Sequence, residues 1–327
     1  MKLATFRTVA GTTRAGIVHG DQVYALNYPT LLELLRDPEG LARARRAAQE
    51  IAASHTLSGA ATPTPLAESA FGMVSLAVHE HVSDHPLGEV KLLTPIPEPP
   101  TVRDFYAFEQ HVKAARALRG SDMIPEWYEI PIFYFTNTSE LYGQDDTVPY
   151  PVGSNELDFE LEIACLIGRE GKDIPVEEAA DYIAGYTIMN DWSARDFQRK
   201  DMKLNLGPGK GKDFATSLGP WLVTPDELAA RRTGSGASER YDMTMLARVN
   251  GKEISRGNFN QIYYSFPQMI AWASRNTRLR AGDVLGSGTV GTGCILELGV
   301  EVQRWLQRGD VVEMEIDGIG VLRNRIV

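Results

Sequence analysis

Four prolines fall within six residues in the run Pro95-Ile96-Pro97-Glu98-Pro99-Pro100, and no feature of the chain restricts its fold more. Proline fixes φ and lacks the N–H that a helix interior or a central strand needs, so neither can continue through this run. The run divides the chain near residue 95 into a small N-terminal domain, 1–95, and a larger domain, 96–327. Residues 2–25 read as short strands (KLATFRTV, TRAGIV, QVYAL) parted by the turn signals Gly11-Thr12-Thr13 and Gly20-Asp21. From Tyr28 to about Ser58 the pattern is helical, and Met73-Val74-Ser75-Leu76 reads as a strand. Beyond the prolines, Asp104–Gly120 reads as a helix and Leu157–Gly168 as a strand. Phe259–Ser274 reads as a helix bent at Pro267. DVLGSG, CILELGVEV, DVVEMEI and GIGVLRNRIV read as strands, and Asn250-Gly251 and Asp317-Gly318 as hairpin turns. The expected class is α+β: a small N-terminal α/β domain followed by a mostly β C-terminal domain.

The chain has 327 residues, 33 of them basic and 43 acidic, for a formal net charge of −10. No basic excess exists to displace phosphate counterions, which argues against nucleic acid as a partner. A local arginine and lysine cluster can still receive a small anion. No apolar run approaches the roughly 20 residues of a membrane span, and Lys2 and Arg7 bring charge too early for a secretory signal. Cys165 and Cys294 lie in apolar runs, where a reduced, packed thiol is the default. These features predict a soluble, cytoplasmic protein of enzyme size.

Two glycine motifs fail on context. Gly286-Ser287-Gly288-Thr289-Val290-Gly291 fits G-x-G-x-x-G, but Cys294–Leu298 after it reads as strand, whereas a dinucleotide site needs a helix at once. In the loop Gly207–Lys212, Asp213 stands where a phosphate loop requires Ser or Thr. His79, His81 and His85 lack a cysteine partner and read as a solvated loop rather than a zinc site.

Carboxylates carry more. Glu160 and Glu162, two apart on a strand, share a face opposite Phe159, Leu161 and Ile163. Like charges so close need either full solvation or a cation between them. Asp191, at the end of the apolar run Tyr182–Met189, and Asp104 are further candidate ligands. Oxygen donors without His or Cys suit Mg²⁺ or Ca²⁺ rather than Zn²⁺. If Asp191 opens a helix, Arg195 and Gln198 share its face, as a surface ion pair or as part of a site. On a helix from Asp104, His111 returns to nearly the same face, as a structural or a catalytic histidine.

Taken in order, Asp104-Phe105-Tyr106 with His111, the Glu160/Glu162 strand, Asn190-Asp191-Trp192-Ser193-Ala194-Arg195-Asp196-Phe197-Gln198, the glycine–lysine loop, Ser287-Gly288-Thr289 and Leu296-Glu297-Leu298 resemble the fumarylacetoacetate hydrolase family, from about residue 92 to the end. The resemblance implies a β-roll catalytic domain and a homodimer. It implies metal ligation (Mg²⁺, with Ca²⁺ or Mn²⁺ as alternatives) by Asp104, Glu160, Glu162 and Asp191. His111 matches the general base and Glu297 the carboxylate that orients it. Arg195, Gln198 and Lys212 match the groups that steady the oxyanion, and Tyr106, Arg119, Tyr134 and Thr289 those that hold substrate. The implied activity is cleavage of a C–C bond in a small anionic 1,3-diketone acid, fumarylacetoacetate above all, as in aromatic amino-acid catabolism. Acylpyruvate hydrolysis and oxo-acid decarboxylation or isomerisation are the alternatives. Met202 stands where fumarylacetoacetate-specific members carry tyrosine.

Overall fold

The computed structural model describes residues 1–58 and 81–327; Met73–Leu76 and His79 lie outside the described residues. Within them, the longest sheet runs in the order His81–Pro86, Gln22–Leu26, Thr13–His19, Lys2–Arg7, Thr216–Val223, Ile183–Asp191, Leu161–Ile167, Val284–Gly286, Val102–Phe105, Phe133–Thr136. A second sheet orders Lys252–Asn258, Thr244–Val249, Val311–Ile316, Gly320–Ile326 and Thr147–Val148. The fold is α+β and mostly sheet.

Both faces of the long sheet are covered, and strand alternation sorts the side chains between them. Ile163, Cys165 and Ile167 enter the core shared with Met245, Ala247, Val312 and Met314 of the second sheet. Ala164 and Leu166 point the other way, into a core with Leu31, Leu34 and Leu35 of the helix Leu31–Arg36 and Ala44 of the helix Gly40–Ser58. The proline run is irregular, as expected, and is tied down where Thr5 Oγ1 donates to Pro95 O at 2.6 Å. Lys2–Arg7 nevertheless pairs with Thr216–Val223, so chain on the two sides of residue 95 shares one sheet and one core.

The hairpins at Asn250-Gly251 and Asp317-Gly318 form, with φ of 52° and 79° at Asn250 and Gly251. Several expected elements are corrected. Asp104 ends no helix start; it lies in the strand Val102–Phe105, and the helix is Glu109–Ala117. Asp191 closes the strand Ile183–Asp191, and the next helix is Arg195–Met202. Leu157–Gly168 splits into Leu157–Asp158 and Leu161–Ile167. Pro267 bends nothing: it sits in the first turn of the helix Phe266–Ala273, where its missing N–H costs no bond, behind a Ser265–Gln268 capping box. Leu296–Leu298 is not strand but part of a single turn, Ile295–Leu298. His81–Pro86 is a solvated edge strand rather than a loop, paired with Gln22–Leu26.

Candidate active site

The sheet register brings the acidic residues together. Ile183–Asp191 runs antiparallel to Leu161–Ile167, with Leu161 opposite Asn190, so Asp191 ends beside Glu160. Val284–Gly286 pairs with Leu161–Ile167 on one side and with Val102–Phe105 on the other, Gly286 opposite Asp104. A Cβ on Gly286 would stand 2.7 Å from Asp104 Oδ1, so only glycine there leaves space for the carboxylate. Asp104, Glu160, Glu162 and Asp191 each offer an oxygen within 4.8 Å of the others, and all four are buried.

Two cations share this pocket. Lys212 Nζ lies 2.5 Å from Glu160 Oε2 and 2.6 Å from Asp191 Oδ2. The loop carrying it presses on the helix Arg195–Met202 at Gly211, where a Cβ would meet the Gln198 backbone at 2.6 Å. Arg195 Nη2 donates to Glu160 Oε1 at 2.8 Å. Burial alone would raise Glu160, but Lys212 and Arg195 outweigh it and hold its carboxyl below the usual range. Glu162 and Asp104 form no ion pair at contact distance among the described residues, and the pull of Lys212 on Asp104 is outweighed. Burial first, and neighbouring carboxylates second, push both well above the usual carboxylate range.

Glu162 Oε1 and Asp191 Oδ1 are buried and accept no hydrogen bond among the described residues. Unsatisfied carboxylate oxygens in a buried group of four are what a hard divalent cation would complete, so the donor set fits Mg²⁺, Ca²⁺ or Mn²⁺. The Gly288 N–H donates to Glu162 Oε2 at 3.0 Å and to Asp104 Oδ1 at 3.2 Å, holding that pair from behind.

A cavity of about 360 Å³ opens from this acidic group, lined also by His111, Tyr106, Arg119, Tyr134, Thr289 and Met202. His111, on the helix Glu109–Ala117, places Nδ1 2.9 Å from Oε2 of Glu297, which stands on the turn Ile295–Leu298. The Tyr106 ring meets the imidazole edge-on, 5.6 Å between centroids. Its buried hydroxyl meets no partner among the described residues, and burial pushes its pKa up to about 12, so it stays a neutral donor on a residue that lines the cavity. Tyr134, expected against substrate, lines the cavity but gives its hydroxyl to Asp191 Oδ2. Arg195 Nη1 donates to Gln198 Oε1 at 2.9 Å, which commits the amide oxygen and leaves the amide nitrogen to donate. All thirteen expected positions are thus within the one region, eleven of them lining the cavity directly and Asp191 and Glu297 standing behind it.

Residues 101–327 match the family described as fumarylacetoacetate (FAA) hydrolase, C-terminal. The chain belongs to the fumarylacetoacetate hydrolase family. Among the family's members, the mitochondrial oxaloacetate tautomerase fahd2 of Xenopus laevis is 37% identical over 198 residues, 60% of this chain and 58% of that protein. The fumarylacetoacetase of Arabidopsis thaliana is 32% identical over 262 residues, 66% of this chain and 62% of that protein. The chain spans about three fifths of the length of the curated relatives it matches. In three dimensions it resembles the fumarylacetoacetate hydrolase of psychrophilic Exiguobacterium antarcticum with a TM-score of 0.67 at 26% identity, covering 100% of this chain and 99% of that one.

Sequence reasoning missed Asp158, which is fully buried against Arg195 and the turn Ile295–Leu298. Its Oδ2 takes Arg195 Nε at 2.8 Å and the Leu296 N–H at 3.0 Å, and its Oδ1 takes the Ile295 N–H at 2.8 Å. One carboxylate thereby aims the arginine and anchors the turn that carries Glu297. The signal was present: Asp158, Glu160 and Glu162 follow one period-two pattern, of which only the last two were read as a pair.

Proposed function

We propose that this protein hydrolyses a C–C bond in a small anionic 1,3-dioxo acid, fumarylacetoacetate above all, with acylpyruvates as the nearest alternative. The observation that carries this reading is the His111–Glu297 pair at 2.9 Å, standing in the same cavity as four buried carboxylates. Hydrolysis needs a base for water, and an imidazole backed by a carboxylate is one.

His111 removes a proton from water, and the hydroxide adds to the carbonyl carbon. Glu297 fixes the ring's tautomer and favours the imidazolium that forms. The oxyanion is met by Gln198 and Lys212, which line the cavity. The bond to the carbon between the two carbonyls then breaks, and its electron pair is left on that carbon, in conjugation with the second carbonyl. His111 returns its proton there, giving a carboxylic acid and a ketone. Tyr106 and Arg119 take the substrate's outer oxygens. Asp104, Glu160, Glu162 and Asp191 would hold a divalent cation, which when bound supplies Lewis-acid stabilisation of the dioxo oxygens. The same reading carries a cytoplasmic homodimer.

The tautomerase relatives favour one other reading, proton transfer in an oxo acid such as oxaloacetate. The two separate on assay. Fumarylacetoacetate, an acylpyruvate and oxaloacetate are offered with Mg²⁺ and again after chelation. Hydrolysis of the first or second, lost on chelation, is expected. Turnover of oxaloacetate alone would replace hydrolase with tautomerase.

A further inference from the structure

A second set of donors lies outside the carboxylate group. Cys294, His111 and Glu297 each offer one ligand atom, a thiol sulfur, a ring nitrogen and a carboxylate oxygen, all within 4.8 Å of one another. Cys294 directly precedes the turn Ile295–Leu298, so it and Glu297 leave the same stretch of backbone. Asp158 anchors that stretch through the Ile295 and Leu296 N–H groups. His111 arrives from the separate helix Glu109–Ala117 and lines the cavity, which gives an ion a way in.

The donor chemistry of the two sets differs. Four carboxylates suit a hard ion, whereas sulfur and imidazole nitrogen suit a borderline or soft one. We infer that Cys294, His111 and Glu297 form a second metal site, selective for Zn²⁺-like ions over Mg²⁺, and that its occupation silences the His111–Glu297 pair. Bonds of ~2.0–2.1 Å to nitrogen and oxygen and ~2.3 Å to sulfur hold tetrahedral ligand atoms about 3.3–3.6 Å apart. The His111–Glu297 contact of 2.9 Å opens slightly to admit the ion. The sulfur, within 4.8 Å of the other two atoms, closes by about an ångström at most, a distance side-chain rotation covers. Three protein ligands leave a fourth tetrahedral position open, the arrangement of an open zinc site. Binding displaces the thiol proton to solvent, while the imidazole keeps its single proton on the nitrogen away from the ion, so affinity grows as pH rises. The loss of turnover rests on the hydrolase reading of His111; the site itself does not.

Wild-type protein held in excess Mg²⁺ is titrated with Co²⁺ and watched for sulfur-to-metal charge-transfer absorption, and Zn²⁺ inhibition is measured in parallel. The expected result is a band saturating at one ion per chain, with turnover falling together with Zn²⁺ occupancy. Cys294→Ser and Cys294→Ala lack the band, keep Mg²⁺-supported turnover and need on the order of tenfold more Zn²⁺ for inhibition. Both variants retain Cys165, so its buried thiol is controlled for. No band in the wild type, or an equal band in both variants, overturns the site. A band with unimpaired turnover upholds the site and removes His111 from the proposed catalytic role instead.

Discussion

At one end of the cavity four buried carboxylates face two buried cations; at the other a single imidazole faces a single carboxylate at 2.9 Å. The acidic end is defined by charge left over. Lys212 and Arg195 neutralise part of it, and the remaining oxygens of Glu162 and Asp191 have no protein donor among the described residues. The His–Glu end is closed within the protein, each partner satisfying the other. On the proposed function, the first needs an ion from outside to reach its working state, and the second needs only substrate and water. Damage to one end should leave the other measurable.

Short of removing the imidazole itself, the largest expected effect comes from the acidic end. Glu162→Gln removes one charge and an oxygen already unmatched by protein, and Mg²⁺ affinity should drop by on the order of 100-fold. Calorimetric titration of Mg²⁺ into the variant checks this, and unchanged affinity would remove Glu162 from the ligand set. Next comes the residue that links the ends. Asp158→Asn leaves the buried Arg195 with Glu160 as its one remaining carboxylate partner and weakens the anchor of the Glu297 turn. A loss of ~3 kcal/mol of stability is expected from breaking a buried ion pair, together with a fall in kcat. Denaturant unfolding and steady-state kinetics read the two effects, and a stable variant with normal kcat would show the ends to be independent of Asp158.

A third contrast is in pH. Without metal, burial and like charge raise Asp104 and Glu162 well above the usual carboxylate range. Above pH ~4, where unfolded carboxylates lose their protons, the folded chain still holds these two. It binds more protons than the unfolded chain, so its stability falls as pH rises from there through the raised values. Glu160, held low by Lys212 and Arg195, works the other way: its contribution is present above the unfolded pKa and is lost as pH falls toward the lowered one. Melting temperatures of chelated protein should thus decline from about pH 5 upward, and Mg²⁺ should raise them and flatten the slope. A flat profile without metal would contradict the crowding of the acidic end.

The smallest effect belongs to the rim. Met202 is 39% exposed and touches the cavity from the last turn of the helix Arg195–Met202. Met202→Tyr should change KM among dioxo acids by roughly tenfold with little change in Mg²⁺ affinity. An altered affinity would mean that the rim and the acidic end are coupled.

The two ends also differ in how far the sequence reveals them. Glu160 and Glu162 were legible because a strand's period puts them on one face, and that holds even though the strand is broken at Phe159 and Glu160. Asp104 and His111 line the same cavity, but not for the helical reason the spacing suggests. The helical spacing between them does not exist; Asp104 is in a strand, and the chain turns before the helix that carries His111 begins. Local periodicity names a face but not where an element starts, since neighbouring strands decide that. Glu297 was reached by resemblance alone. Its placement depends on Asp158 binding amides 137 and 138 residues away, a contact that no local pattern encodes. The same holds for Lys2–Arg7, whose pairing with Thr216–Val223 spans more than half the chain.

On the proposed function, metal binding and base catalysis reside at separate ends of one cavity. Mg²⁺ content and hydrolysis of fumarylacetoacetate or an acylpyruvate, measured together on His111→Ala, test it most directly. Mg²⁺ bound as in the wild type and turnover reduced by about 10²–10⁴-fold are expected. Retained hydrolysis, or loss of the metal along with it, would contradict it.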